Sequence, residues 1–167
     1  GRYSARLATT DDDVKAAQSL RFEAFIAHRD AAISGPRAEG LDADHLDPTC
    51  DHLLVEERWT GRLVCCFRMM PLNTGAEIDR CYSAQFYDLD PLRAFTGPMV
   101  EMGRFCIHPD IKDPDILRVA WGAMTKYVDD HKVEMLFGCS SFEGTEADSY
   151  MDAFALLKAR HIAPKRW

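Results

Sequence analysis

Apolar residues in this chain alternate or recur at helical spacing in a clear order. Arg2 to Leu7 predicts a short strand. Asp11 to His28 predicts a helix, opened by an acidic cap, with Val14, Ala17, Ala24 and Phe25 on broadly one side. Residues 29–50 are polar and carry Gly35, Pro36, Gly40 and Pro48, which reads as a long loop or broken helix of the kind that often carries function. His52 to Glu56 and Arg62 to Met70 predict two strands joined by a turn at Thr60 and Gly61. In the second strand Leu63, Cys65, Phe67 and Met69 share one face, and Val64, Cys66, Arg68 and Met70 the other. Met99 to Ile107 predicts another strand. Asp113-Pro114 then supplies an N-cap and a first-turn proline for a helix carrying Leu117, Ala120, Trp121, Met124 and Val128. Met135 to Cys139 predicts a buried strand. Thr145 with Asp148 makes a capping-box-like start for a final helix carrying Ala147, Tyr150, Met151, Phe154 and Leu157. The order is β-α-loop-β-β-β-α-β-α. Hairpins followed by a β-α-β crossover predict an α/β (α+β) fold with a mixed, mostly antiparallel sheet and helices on both faces.

Charge inside strands is the chemical signal. Arg68 interrupts one apolar strand, and Glu101 and Arg104 interrupt another. A buried charge is costly unless paired, so these residues predict partners, and Asp44 and Asp47 in the polar loop are the candidates. Glu101 and Arg104 are three apart, so a regular strand sends them to opposite faces. A bulge at Gly103 would add a residue and turn both toward one side.

Composition narrows the class. The 167 residues hold 20 Lys and Arg against 27 Asp and Glu, a net charge of −7, which argues against a general nucleic-acid binder. No apolar run approaches the length of a membrane span. The six cysteines include no C-x-x-C and the histidines are scattered, so the chain reads as reduced and cytosolic with no metal site.

The constellation Arg21-x-x-x-Phe25, Asp44-x-x-Asp47, Arg68 and Glu101-x-x-Arg104 resembles the acyl-homoserine-lactone (autoinducer) synthase pattern. The wider wording resembles another branch of the same Gcn5-related N-acetyltransferase (GNAT) fold. It comprises Asp47-Pro48-x-Cys50-Asp51-His52-Leu53-Leu54-Val55, Tyr82 to Leu89, Glu101-x-Gly103-Arg104-x-Cys106-x-His108-Pro109, and Leu136 to Thr145 with its Ser140. These four motifs, in order from about Leu7 to Trp167, resemble the bacterial ornithine–acyl-[acyl carrier protein] N-acyltransferases of ornithine-lipid synthesis.

That resemblance implies transfer of a 3-hydroxyacyl chain from acyl carrier protein to the α-amine of ornithine. It implies no tightly bound cofactor, a cytoplasmic enzyme, and leaves peripheral contact with the inner membrane open. The superfamily fold normally ends in two further strands, so residues 1–167 are expected to form a single acyltransferase domain without its C-terminal end. Three alternatives stay open: an autoinducer synthase using S-adenosylmethionine, a glutamine or lysine N-acyltransferase, and a non-catalytic module binding acyl carrier protein. Autoinducer synthases usually carry an early tryptophan after the phenylalanine; none stands between Phe25 and Asp44.

Roles follow from the chemistry of amide formation. Glu101 is the leading general-base candidate, although direct proton transfer from an α-ammonium to an ordinary Glu is uphill by roughly 5 kcal/mol. It therefore needs a raised affinity, a relay, or a role after attack. Backbone N–H groups of Arg104 to Ile107, hence Phe105, Cys106 and Ile107, are the oxyanion and pantetheine candidates. Tyr150 is the candidate to protonate the departing thiolate. Arg104 is expected to hold the Glu101 side of the site or the pantetheine phosphate. Arg21 is expected to meet the substrate carboxylate, with Phe25 and Ser140 beside it. Asp44 and Asp47 either order Arg68 or attract the second ammonium of ornithine. Acetyl-CoA enzymes of this fold place a glycine-rich turn after the bulged strand; here the turn is His108-Pro109-Asp110-Ile111-Lys112-Asp113-Pro114, which suits a carrier protein as donor. An acidic carrier would need a local basic patch, for which Arg118, Lys126, Lys132, Lys158, Arg160, Lys165 and Arg166 are candidates.

Overall fold

In a computed structural model, residues 1–27, 39–142, 144 and 146–164 are described. Five strands form one sheet in the order β1 (Tyr3–Leu7), β2 (Asp51–Glu57), β3 (Leu63–Leu72), β4 (Met99–Ile107) and β5 (Met135–Phe137). β1 to β4 pair antiparallel, and β5 pairs parallel to β4 after the crossover through helix α2 (Pro114–Asp130). This is the mixed, mostly antiparallel sheet that the element order predicts.

Helix α1 (Asp11–Phe25) starts where the sequence places it. Thr10 Oγ1 accepts from the Asp13 N–H, and the Asp13 carboxylate accepts from the Thr10 N–H. Three acidic residues in the first turn complement the helix dipole. The helix ends at Phe25, short of His28, which lies outside the described residues. Its buried stripe runs through Ala17, Leu20 and Arg21 and packs on Leu54, Cys66 and Cys106. Helix α2 begins at the expected Asp113 cap and covers the opposite face, where Ile116, Ala120, Met124 and Tyr127 meet Leu53, Val55, Cys65, Phe67 and Val100.

The alternation read in β3 holds from Cys65 to Met70 and fails at its start. Cys65 pairs with Val55 but Leu63 with Glu56, so Val64 is the extra residue of a bulge and joins Cys65 on the α2 face.

Two other expectations change. Met135 to Cys139 is not one buried strand: pairing with β4 stops at Phe137, and Leu136 is 39% exposed. A side chain at Gly138 would collide with the Met102 carbonyl, and the chain then leaves β4. The final helix is also not one capped unit. Thr145 lies outside the described residues, and a 3-10 turn at Ala147–Tyr150 leads into α3 (Met151–Arg160), which buries none of its residues.

Residues 75–94, between β3 and β4, form three short 3-10 helices. Ile78 and Cys81 from this segment pack with Leu46, Met70, Leu72 and Met99 in a separate small core. That core sets the 82–83 backbone over β4.

Candidate active site

The site begins with a defect in the β3–β4 ladder. Arg68 faces Gly103 and Cys66 faces Cys106, so Arg104 and Phe105 together face Phe67. The bulge falls one residue beyond the expected Gly103. Arg104 itself takes the left-handed conformation, at φ 55°. A non-glycine residue there costs about 1–2 kcal/mol. The consequence is the one expected of a bulge: Glu101 and Arg104 line the same cavity, of about 590 Å³. The cavity occupies the wedge opened where β5 leaves β4. Met102, Gly103, Arg104 and Phe105 form one wall, and Cys139, Ser140 and Ser141 form another.

The polar end rests on a lattice of arginines and aspartates. Arg68 grips Asp44 with two bonds, of 2.6 and 2.8 Å, and reaches Asp47 at 2.6 Å. This supports the reading in which Asp44 and Asp47 order Arg68. Arg21 departs from expectation. Its side chain is 1% exposed and is consumed by Asp47, at 2.8 and 2.9 Å, by Asp42 at 3.2 Å and by the Asp42 carbonyl. Four of its five N–H donors are spent on these partners, and Arg21 does not line the cavity where a substrate carboxylate would sit. The reason is packing: it sits in the buried stripe of α1, where only ion pairing makes a guanidinium tolerable.

Burial alone would raise the Asp47 carboxyl. Arg21, Gln18 and Arg68 instead hold it well below the ordinary carboxylate range. Burial likewise opposes ionisation of Asp44, and Arg68 outweighs it. Burial lowers the His52 pKa, leaving a neutral ring whose Nε2–H donates to the Asp47 carbonyl at 3.0 Å.

Glu101 is held by a different element. The Tyr82 N–H donates to Oε2 at 2.7 Å, the Ser83 N–H to Oε1 at 2.7 Å, and the Ser83 hydroxyl to Oε1 at 2.5 Å. Ser83 Oγ also lies 3.1 Å from the Cys139 thiol. A carboxylate offers about four lone-pair sites; these donors take three, and the buried Cys81 thiol bonds the same carboxylate.

Of the remaining candidates, Phe25, Arg68, Phe105 and Ser140 line the cavity. Cys106 and Ile107 do not; they continue the ladder opposite Cys66 and Cys65, which narrows the backbone-donor candidates to the bulge. Tyr150 does not line it either, and its ring packs against Phe142 and Phe154. Arg118 and Lys126 of the proposed basic patch pair with Asp115 and Asp130, while Lys165 and Arg166 lie outside the described residues. Sequence reasoning assigned no role to Asp42, Tyr82, Ser83 or Trp121. Trp121 reaches the cavity at the end of an aromatic ladder, with Phe67–Phe105 at 5.4 Å and Phe105–Trp121 at 6.2 Å between ring centres.

In the turn after β4, most amides are already used. The His108 N–H bonds the Val64 carbonyl, the Asp110 N–H bonds His108 Nδ1, and the Ile111 N–H bonds the His108 carbonyl. Pro109 and Pro114 have none to give. Among the described residues no cluster of three or more His, Cys, Asp or Glu is arranged to hold a metal ion, and no helix is long and apolar enough to cross a membrane.

This geometry has relatives. L-ornithine N(alpha)-acyltransferase of Rhodobacter capsulatus is 36% identical over 171 residues, covering 98% of this chain and 65% of that protein. The Brucella abortus protein of the same name is 31% identical, covering 100% of this chain and 62% of its own length. The chain thus spans less than two thirds of these curated relatives. Among solved structures, the acyl-homoserine-lactone synthase LasI superposes with a TM-score of 0.58 at 17% identity, over 92% of this chain and 77% of that one. FeeM, an N-acyl amino acid synthase from uncultured soil microbes, gives 0.57 at 14%, over 90% and 76%. These two share the fold. The acetyltransferase (GNAT) domain family matches residues 20–122, from the buried end of α1 through the bulged strand to Trp121 and Gly122 in α2, and this chain belongs to it.

Proposed function

We propose that this chain is the acyl-transfer portion of an L-ornithine N(alpha)-acyltransferase, taking a 3-hydroxyacyl group from acyl carrier protein to the α-amine of ornithine. The observation that carries this reading is the convergence of Glu101 and Arg104 on one cavity through the β4 bulge. Likeness to relatives bearing that name supports the acceptor.

In the reaction, the neutral α-amine attacks the thioester carbonyl. The C–N bond forms, and the C–S bond breaks to release the carrier's thiolate. Once the C–N bond starts to form, the nitrogen becomes far more acidic than the free ammonium. The Glu101 carboxylate, which lines the cavity, then accepts its proton without the uphill first step. The carbonyl oxygen gains charge, and the backbone N–H groups of Arg104 and Phe105, at the bulge in the cavity wall, are suited to meet it. The turn after β4 supports a carrier protein over coenzyme A, because the His108, Asp110 and Ile111 amides are bonded internally and two prolines have none to offer a pyrophosphate.

The test is incubation with 3-hydroxyacyl carrier protein or the matching acyl-coenzyme A, against ornithine, lysine, glutamine and S-adenosylmethionine. Mass spectrometry should find N-acyl-ornithine, formed mainly from the carrier-protein donor. A lactone from S-adenosylmethionine, or donor binding with no product from any acceptor, would refute the proposal.

A further inference from the structure

The three lattice guanidiniums are not equally committed. Arg21 and Arg68 are buried and hold carboxylates at 2.6–3.2 Å. Arg104 is different. Among the described residues its one hydrogen bond runs to Asp44 Oδ2 at 3.4 Å, and its next approach, to Asp42, is 3.7 Å. Neither aspartate depends on it, since Asp44 already takes two short bonds from Arg68 and Asp42 is held by Arg21. Its side chain is 29% exposed, lines the cavity, and lies over the Tyr82 ring at 5.4 Å. Its backbone bears the left-handed conformation that puts it there. Backbone strain that sets a weakly bonded guanidinium in a cavity points to a role in binding.

A guanidinium presents a planar fork of donors, and its matching anions are carboxylate and phosphate. Three arginines here face Asp42, Asp44 and Asp47, so the lattice is neutral before Glu101 is counted. That field suits a singly charged carboxylate better than a phosphate dianion. An α-amino acid carries its amine and its carboxylate on one carbon. Arg104 and Glu101, three positions apart on one bulged strand, both line the cavity and offer a cation and an anion for those two groups.

We infer that Arg104 is the specificity-determining residue that grips the α-carboxylate of the acceptor, and so presents the α-amine, not the side-chain amine, to the thioester. This rests on the N-acyltransfer reading above. Arg21, which the motif pattern favoured for that task, is walled off.

The experiment compares L-ornithine, L-ornithinamide and putrescine as acceptors for the wild-type chain, Arg104→Lys and Arg104→Gln, with fragment-ion assignment of the acylated nitrogen. Any non-glycine residue at 104 bears the same backbone cost, so melting temperature should change little. Two charged hydrogen bonds set the scale: KM for ornithinamide should exceed that for ornithine about 100-fold in the wild type. In Arg104→Gln the two should converge to within about threefold, acylation should spread to the side-chain amine, and Arg104→Lys should fall between. KM for the donor should stay unchanged.

Equal use of ornithine and ornithinamide by the wild type, or a preference that survives Arg104→Gln, would overturn the inference. If ornithine is inert but another α-amino acid is acylated with the same dependence on carboxylate and Arg104, the ornithine reading falls and the clamp stands. Titration of donor-free protein with the α-amino acids and their amides gives a readout independent of turnover. Absence of any carboxylate preference there overturns the clamp whatever the reaction proves to be.

Discussion

Replacing Glu101 by Gln tests the centre of the site, and the structure sets the scale of the effect. An amide oxygen at the Oε1 position keeps both bonds from Ser83. The amide nitrogen then takes the Oε2 position, 2.7 Å from the Tyr82 N–H, so two donors meet head to head. The reverse orientation sets the Ser83 N–H against the amide nitrogen instead, while the Ser83 hydroxyl turns to accept. One unsatisfied buried group costs about 1–3 kcal/mol, and charged hydrogen bonds become neutral ones of roughly half the strength. Together these give about 2–4 kcal/mol, or a melting temperature lower by roughly 5–15 °C for a chain of this size. Loss of a general base should separately lower kcat about 10²–10⁴-fold. The two effects are separable. Ser83→Ala removes one bond yet leaves the carboxylate, so it should lower the melting temperature while keeping kcat within about tenfold. Raising the pH toward the amine's own pKa should partly restore Glu101→Gln turnover and leave its melting temperature alone. Calorimetry and a pH–rate profile on the same variants decide it. A Glu101→Gln variant that melts with the wild type would refute the hydrogen-bond assignment. One that melts early but turns over normally would remove the carboxylate from the chemistry.

Arg21→Gln leaves buried Asp42 with the 3.7 Å approach of Arg104, takes two of the bonds to Asp47, and should cost about 3–5 kcal/mol, seen as a large drop in melting temperature; unchanged stability with a raised ornithine KM would mean that Arg21 reaches substrate after all. The Asp44 and Asp47 pKa values are depressed in the fold, so the stability they lend is complete above the unfolded value of about 4 and is lost as pH falls through the lower folded values. Neutral, buried His52 adds an earlier loss beginning near its unfolded value of about 6.5, because below it the unfolded chain binds a proton that the fold resists. Melting temperature followed from pH 8 downward should show both losses, and Asp47→Asn should flatten the acid limb. Trp121→Ala removes the outer rung of the aromatic ladder and should weaken long-chain donors about tenfold relative to short ones, measured as a ratio of kcat/KM.

Much of the site was legible as a mismatch between residue type and surroundings. Arg68 in an apolar strand demanded acidic partners, and Asp44 and Asp47 are those partners. The spacing of Glu101 and Arg104 demanded a bulge, and one is present. The glycine that suggested its place was misleading by one residue, because glycine is the lowest-energy answer for the left-handed position and the site uses an arginine there. Arg21 lies on the same helix face as Ala17 and Leu20, so its need for buried partners was present in the pattern, but a motif-based role as substrate ligand hid it. Tyr82 and Ser83 were quoted within a motif without a role. Residues 71–98 show no helical or strand period, and the 3-10 turns there are placed by packing of Ile78 and Cys81 under Leu46 and Met99. No local signal announces such an arrangement.

The lattice explains why the site can carry a strained arginine. Buried ion pairs contribute little net stability, because desolvation offsets most of the attraction. Their value here is positional. Arg21 ties α1 to residues 42–47, and Arg68 ties the same loop to β3, so one side of the cavity is braced by bonds that cannot rotate away singly. Glu101 is braced from the other side by the 82–83 backbone. Both braces act on β3 and β4, and the Arg104 bulge lies between them. The register fixed at Arg68–Gly103 and Cys66–Cys106 leaves the extra residue no place to slide, so the left-handed backbone is imposed by its neighbours. Arg104 can then keep its fork free of strong internal partners, which is what recognition of an incoming carboxylate requires.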